Sequence, residues 1–165
     1  MPEQTIWYLE MCDAGAHHAR PLPDTLNVIE CEIPQFALNR FLYALVGAPW
    51  QWSEKLEGDQ SEWQAMVESD AHRTFVAYYR GAIAGYYELY RPDGRNVEIL
   101  YFGMVAEFIG RGLGGGLLSH AIDQAWQWSG TERVWLHTCS LDHPAALANY
   151  QKRGFRLYDE EIAPC

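Results

Sequence analysis

Five of the seven residues from Gly110 to Gly116 in the stretch EFIGRGLGGGLLSHAI are glycines: Gly110, Gly112, Gly114, Gly115 and Gly116. They stand directly ahead of an apolar helical stripe. Each glycine in a helical first turn costs about 1 kcal/mol relative to alanine, so a helix start with only a structural duty has no use for so many. A backbone stripped of side chains lets an anion approach the free N–H groups of a helix N-terminus, where the helix dipole favours negative charge. With Arg111 beside it, the loop predicts phosphate or pyrophosphate binding. The run Gly110-Arg-Gly112-Leu-Gly114-Gly115 satisfies GxGxxG literally, a weak signal alone. Too little chain follows it for a doubly wound dinucleotide fold, and the strand before it belongs to an antiparallel meander. A Walker A loop is excluded because no GK[ST] follows.

The elements that must position this loop are legible from pattern. Residues 6–11 and 26–33 read as short strands. Residues 34–47 read as a helix, opened by Pro34 and closed by Gly47 with Pro49 beyond. Residues 59–69 form a second helix with Asp59 as N-cap and Glu62 three residues on. Three strands follow, 73–79, 82–90 and 96–105, joined by tight turns at Arg80-Gly81 and Pro92-Asp93-Gly94. Leu113, Leu117, Leu118, Ala121, Ile122, Ala125 and Trp126 then share one helical face. A strand at 133–139, a helix at 143–154 and a last strand at 155–161 complete the order. This is a mixed α/β sheet with helices on it, in one domain over 1–165.

Composition narrows the partners. The apolar fraction of 48% and aromatic fraction of 14% specify a packed core. A formal charge of −10 argues against a nucleic-acid surface and is compatible with a cationic small substrate or with plain solubility. No apolar stretch approaches a membrane span, and the first residues lack a secretory pattern. Cys12, Cys31, Cys139 and Cys165 are scattered without a CxxC, as expected for reduced thiols of a cytoplasmic protein. Cys12, His17 and His18 share a loop but lack a second ligand pair, so no metal is expected. His120 and His137 read as structural. Whether two chains pair as a homodimer through an open sheet edge is left open.

RGLGGGLL followed by NYQKRGF resembles the GNAT superfamily of acyl-CoA-dependent N-acetyltransferases. The first motif is Ile109-Gly110-Arg111-Gly112-Leu113-Gly114; the second runs from His143 through Ala146 and Tyr150 to Gly154-Phe155. The resemblance covers 96–158 well and reaches back loosely to the 34–47 helix. It implies a GNAT-like fold whose mostly antiparallel sheet splays at the cofactor site, with helices on both faces. It also implies acetyl-CoA as cosubstrate, held by Gly110, Arg111, Gly112, Leu113, Gly114 and Gly115, with Gly103, Met104 and Val105 meeting the pantetheine or the oxyanion through backbone groups. His143 takes a cofactor-side position. Two departures stand out: Ile109 replaces the usual Gln or Arg, and His143 replaces the usual Asn.

By the same resemblance Tyr150 is the acid that protonates the departing thiolate, and Glu98 is the base. Strand alternation places Glu98 with Leu100 and Phe102, an apolar setting that would raise its pKa. A salt-bridged or solvated carboxylate is the other reading of Glu98, and core packing the other reading of Tyr150. The acceptor would be an amine of a small molecule or peptide. Trp50 and Trp52 in the helix connection, with Tyr86, Tyr87, Glu88 and Tyr90 on the second meander strand, could box such a cation. A non-catalytic acyl-CoA-binding or sensing module on the same fold is the alternative function.

Overall fold

The computed structural model describes residues 2–165. Its strands are β1 (Glu3–Met11), β2 (Leu26–Glu30), β3 (His72–Tyr79), β4 (Ala82–Tyr90), β5 (Asn96–Met104), β6 (Arg133–Cys139) and β7 (Arg156–Pro164). Its helices are α1 (Phe36–Gly47), α2 (Ser61–Val67), α3 (Gly114–Gln127) and α4 (Ala146–Lys152). Every expected strand and helix is present, with ends shifted by a few residues. Asp59 sits one position further out than expected, yet its carboxylate still accepts the Ser61 N–H at 2.9 Å.

The strands form one seven-stranded sheet in the order β2-β3-β4-β5-β6-β1-β7. All neighbours are antiparallel except β5 and β6. The N-terminal strand β1 is therefore not an edge: it inserts between β6 and the C-terminal β7. Leu9 and Met11 on β1 are buried, and Met11 Sδ accepts from Trp126 Nε1 of α3 at 3.4 Å.

Helices cover both faces. Neighbouring residues on a strand point to opposite sides. A Cβ on Gly103 would stand 2.5 Å from Val46 of α1, whereas Gly85 on the other face approaches Met104 Sδ and Leu117 of α3. The main core lies between the sheet and α3, with Leu117, Leu118, Ala121 and Ile122 against Leu89, Val97 and Leu136, all essentially inaccessible. A second cluster under α1 and α2 is aromatic: Tyr43, Trp63, Phe36 and Tyr101 meet edge to face at ring distances of 5.0–6.1 Å.

Two irregularities in β5 position the site. First, β5 and β6 pair only from Asn96↔Arg133 to Glu98↔Trp135, and beyond Glu98 they diverge. The backbone edge of β5 from Ile99 onward is thus open toward β6. Second, the β4–β5 register slips at Leu100: Glu88 faces Tyr101 but Leu89 faces Ile99. This bulge resets the alternation. Glu98 consequently shares its face with Tyr101 and Gly103, not with Leu100 and Phe102 as simple alternation predicts.

Candidate active site

The glycine loop closes the open end of the β5–β6 wedge. Gly110 and Gly112 adopt φ of 83° and 76°, a left-handed backbone that side chains resist. This brings Leu113 to the helix boundary, where no side chain caps α3. Among the described residues the first N–H groups of α3 therefore have no partner, and they stand beside a cavity of about 370 Å3. Gly114 and Gly115 line that cavity; Gly116 does not, because it lies under Pro21 and Pro23 of the β1–β2 connection, 2.7 Å from a Cβ position. One of the five glycines thus serves packing between chain segments, not anion approach.

Most expected cofactor residues converge on this cavity: Gly103, Met104, Gly110, Gly112, Leu113, Gly114, Gly115 and His143 all line it. Two do not. The Arg111 guanidinium turns onto the rings of Phe108 and Tyr79, at 5.1 and 5.9 Å, because these aromatics offer it a cation–π surface beside the loop. Val105 is buried and its N–H is already given to Ala84 O at 2.7 Å, so that donor is not free for a ligand. His143 accepts the Ala145 N–H on Nδ1 at 3.0 Å, which starts α4, and leaves Nε2 unengaged.

Tyr150 reaches the cavity from α4, packed near Phe102 and Phe155. Burial and, less strongly, the charge of Asp142 push its hydroxyl far above the ordinary tyrosine range, so it keeps its proton. Glu98 is largely buried, and desolvation lifts its carboxyl to about 7 against the smaller opposing pull of Lys55. It sits behind the cavity wall: its neighbours Ile99, Leu100, Leu136 and His137 form the lining. His137 Nε2 lies 3.9 Å from Glu98 Oε2, beyond a direct hydrogen bond and within reach of one bridging water. His137, read from sequence as structural, has a half-exposed side chain, and partial desolvation shifts its imidazole below the ordinary histidine range.

The helix connection supplies two indoles. Gly47 ends α1 with no Cβ because Trp52 occupies that space, and Gln51 takes a left-handed φ of 60° to turn the chain. Trp52 then donates from Nε1 to Asp142 Oδ1 at 3.1 Å, and Trp50 meets the His143 ring edge on at 5.2 Å. The same Asp142 carboxylate accepts from Thr138 Oγ1 at 2.6 Å and the Cys139 N–H at 3.1 Å. Asp142 lines the cavity and was missed in the sequence, where its only signal is its place beside His143 in the second motif.

Tyr87 and Glu88 do not join the acceptor side. Both are fully buried. Tyr87 stacks on Phe75 at 4.7 Å and shares a 2.7 Å hydrogen bond with His120 Nδ1 on the α3 face; Glu88 pairs with His72 at 2.6 Å beneath α1 and α2. Strand β4 lies one strand too far from the β5–β6 wedge for its side chains to reach it.

Charge divides the cavity. Arg20 and Arg153 stand at the glycine-loop end, and Asp142 stands at the indole end. Among the described residues no three His, Cys, Asp or Glu side chains are placed to hold a metal ion, and no helix is long and apolar enough to cross a membrane.

The comparisons with known proteins agree with this fold. No curated protein matches the sequence significantly. Among solved structures, a tandem GNAT protein from the clavulanic acid biosynthesis pathway superposes with a TM-score of 0.65 at 18% identity, over 98% of this chain and 52% of that one. A GNAT family acetyltransferase from Elizabethkingia anophelis with acetyl-CoA bound gives 0.59 at 22%, over 83% and 80%. An aminoglycoside acetyltransferase from an uncultured soil metagenomic sample gives 0.61 at 18%, over 79% and 88%. The chain spans only 52–60% of the length of three of the matched proteins. The pattern of the acetyltransferase (GNAT) family matches residues 38–155, from α1 through the glycine loop to the end of α4. The chain belongs to the GNAT family of acetyltransferases.

Proposed function

We propose that the protein transfers an acetyl group from acetyl-CoA to a primary amine of a small cationic acceptor. The observation that carries this reading is one cavity with two chemically opposite ends: uncapped helix N–H groups and guanidinium groups at one, a carboxylate bonded to an indole at the other. The first end fits a pyrophosphate, and the open β5 edge fits an extended pantetheine arm lying beside it like a strand. The second end fits an ammonium group.

Acetyl-CoA supplies the acyl group as a thioester. Glu98, directly or through a water shared with His137, takes the proton that must leave the ammonium before its lone pair can attack; free amines of lysine type lose it only near 10.4. The open edge of β5 offers the Met104 N–H to the carbonyl oxygen as the C–N bond forms, the N–H groups of Gly103 and Val105 on either side being turned toward β4. Tyr150 gives its hydroxyl proton to the sulfur as the C–S bond breaks, and regains one from the nitrogen, which sheds its second proton to become an amide. Arg111 and Val105 have no part in this.

The test is release of free CoA thiol from acetyl-CoA with a panel of polyamines, aminoglycosides, amino acids and short peptides. Turnover with small polycations supports the reading. Turnover confined to peptides would move the acceptor class, and binding of acetyl-CoA with no turnover on any amine would favour a sensing module.

A further inference from the structure

The loop that approaches the anion brings no cation of its own into the cavity: Ile109 is uncharged and Arg111 is stacked away on Phe108 and Tyr79. Positive charge arrives from a distant part of the chain. The segment 12–25 between β1 and β2 crosses α3 and the end of α4 as a strap and is tied down along its length. The His18 N–H is bonded to Arg153 O at 2.9 Å, and the Arg20 N–H to Ser119 Oγ at 2.8 Å. The His17 ring lies between Ser119 Oγ at 3.1 Å and Asp123 at 3.2 Å. Gly154 and Gly116 have no room for a Cβ because Ala16 O and Pro21 O press on them.

This anchoring delivers Arg20 to the glycine loop. From the Cβ position of Gly115, Arg20 Nη1 lies 3.2 Å away and Arg153 Nη1 3.5 Å; from that of Gly112, Arg20 Nη2 lies 3.9 Å. Two guanidinium groups therefore converge on one point beside the uncapped start of α3. Among the described residues no carboxylate lies within ion-pair distance of either, and Arg153 Nε is buried without an acceptor. Like charges held together and a buried donor left unpaired are both unfavourable until an anion with several acceptor oxygens enters between them. Guanidinium forks suit phosphate oxygens, which they can engage in pairs.

We propose that the β1–β2 strap is a cofactor-binding element and that Arg20, with Arg153, clamps the diphosphate of the acyl donor against the glycine loop. The inference rests on the acetyl-CoA reading above and extends it to a segment outside the 38–155 family match.

Calorimetric titration of the intact protein and of R20M, which keeps the aliphatic stem over Gly115, tests it with two probes: acetyl-CoA and S-acetylpantetheine, which lacks phosphate. R20M should bind acetyl-CoA about tenfold or more weakly. R20K should recover part of that loss, and S-acetylpantetheine should bind wild type and R20M alike. If R20M binds acetyl-CoA within twofold of wild type, or loses both probes equally, the clamp is wrong. Should R20M not fold, R153M is read by the same criteria. Failure of the wild type itself to bind acetyl-CoA would overturn the site reading and the clamp together, a result distinct from an unaffected R20M.

Discussion

The two ends of the cavity are built from different parts of the polypeptide. The glycine-loop end is backbone: left-handed Gly110 and Gly112, the uncapped N–H groups of α3, and cations converging from the strap and α4. The indole end is side chain: Trp50, Trp52 and Asp142, joined across elements by the 3.1 Å bond from Trp52 to Asp142. The backbone part of that end can be altered only by straining φ or filling it with a Cβ, and only its guanidinium partners are open to single side-chain substitutions. A side-chain site changes with single substitutions that leave the chain path intact. Donor recognition should therefore resist the substitutions that abolish acceptor recognition or chemistry.

The largest separation is expected at Tyr150. Tyr150→Phe keeps the ring packing against Phe102 and removes only the proton, so kcat should fall about 10²–10³-fold while acetyl-CoA affinity stays within twofold, read by thiol release and calorimetry. Glu98→Gln should lower kcat about 10²-fold and change its pH dependence. Glu98 works as the carboxylate and its carboxyl is lifted to about 7, so the wild-type rate should rise with pH through about 7 and level off above it. The glutamine variant should lack that rise; if it keeps the wild-type profile, another group, with His137 nearest, is the base. Asp142→Asn should raise the amine KM about five- to tenfold by removing negative charge at the indole end, with acetyl-CoA affinity unchanged.

The smallest effect separates the buried β4 residues from the site. Tyr87→Phe loses one hydrogen bond to His120, worth about 1 kcal/mol, so Tm should drop about 2–4 °C with no change in amine KM. A raised amine KM in this variant would return Tyr87 to the acceptor pocket.

What could be read from sequence divides along the same line as the cavity. Helices, strands and the glycine loop are local: their periodicity and punctuation lie within a dozen residues, and so the element order and the glycine-loop end of the cavity are legible. Strand pairing is not local. Nothing in residues 3–11 says that β1 inserts between β6 and β7, and without that placement the strap carrying Arg20 has no address. The Leu100 bulge defeats alternation by one residue, which moved Glu98 to the α1 face. Tyr87 and Glu88 have the right chemistry for an amine box, but their strand is enclosed on both faces. Asp142 is joined to the helix connection through Trp52, ninety positions away, a pairing that no spacing rule announces.

The central claim is that the glycine loop, the open β5 edge and the strap form an acetyl-CoA site. Its most direct test is a calorimetric titration of the purified protein with acetyl-CoA, with NADH and ATP as controls. The account predicts one-to-one micromolar binding of acetyl-CoA that weakens with added salt, and no comparable binding of the controls. Absence of acetyl-CoA binding, or a preference for NADH, would contradict it.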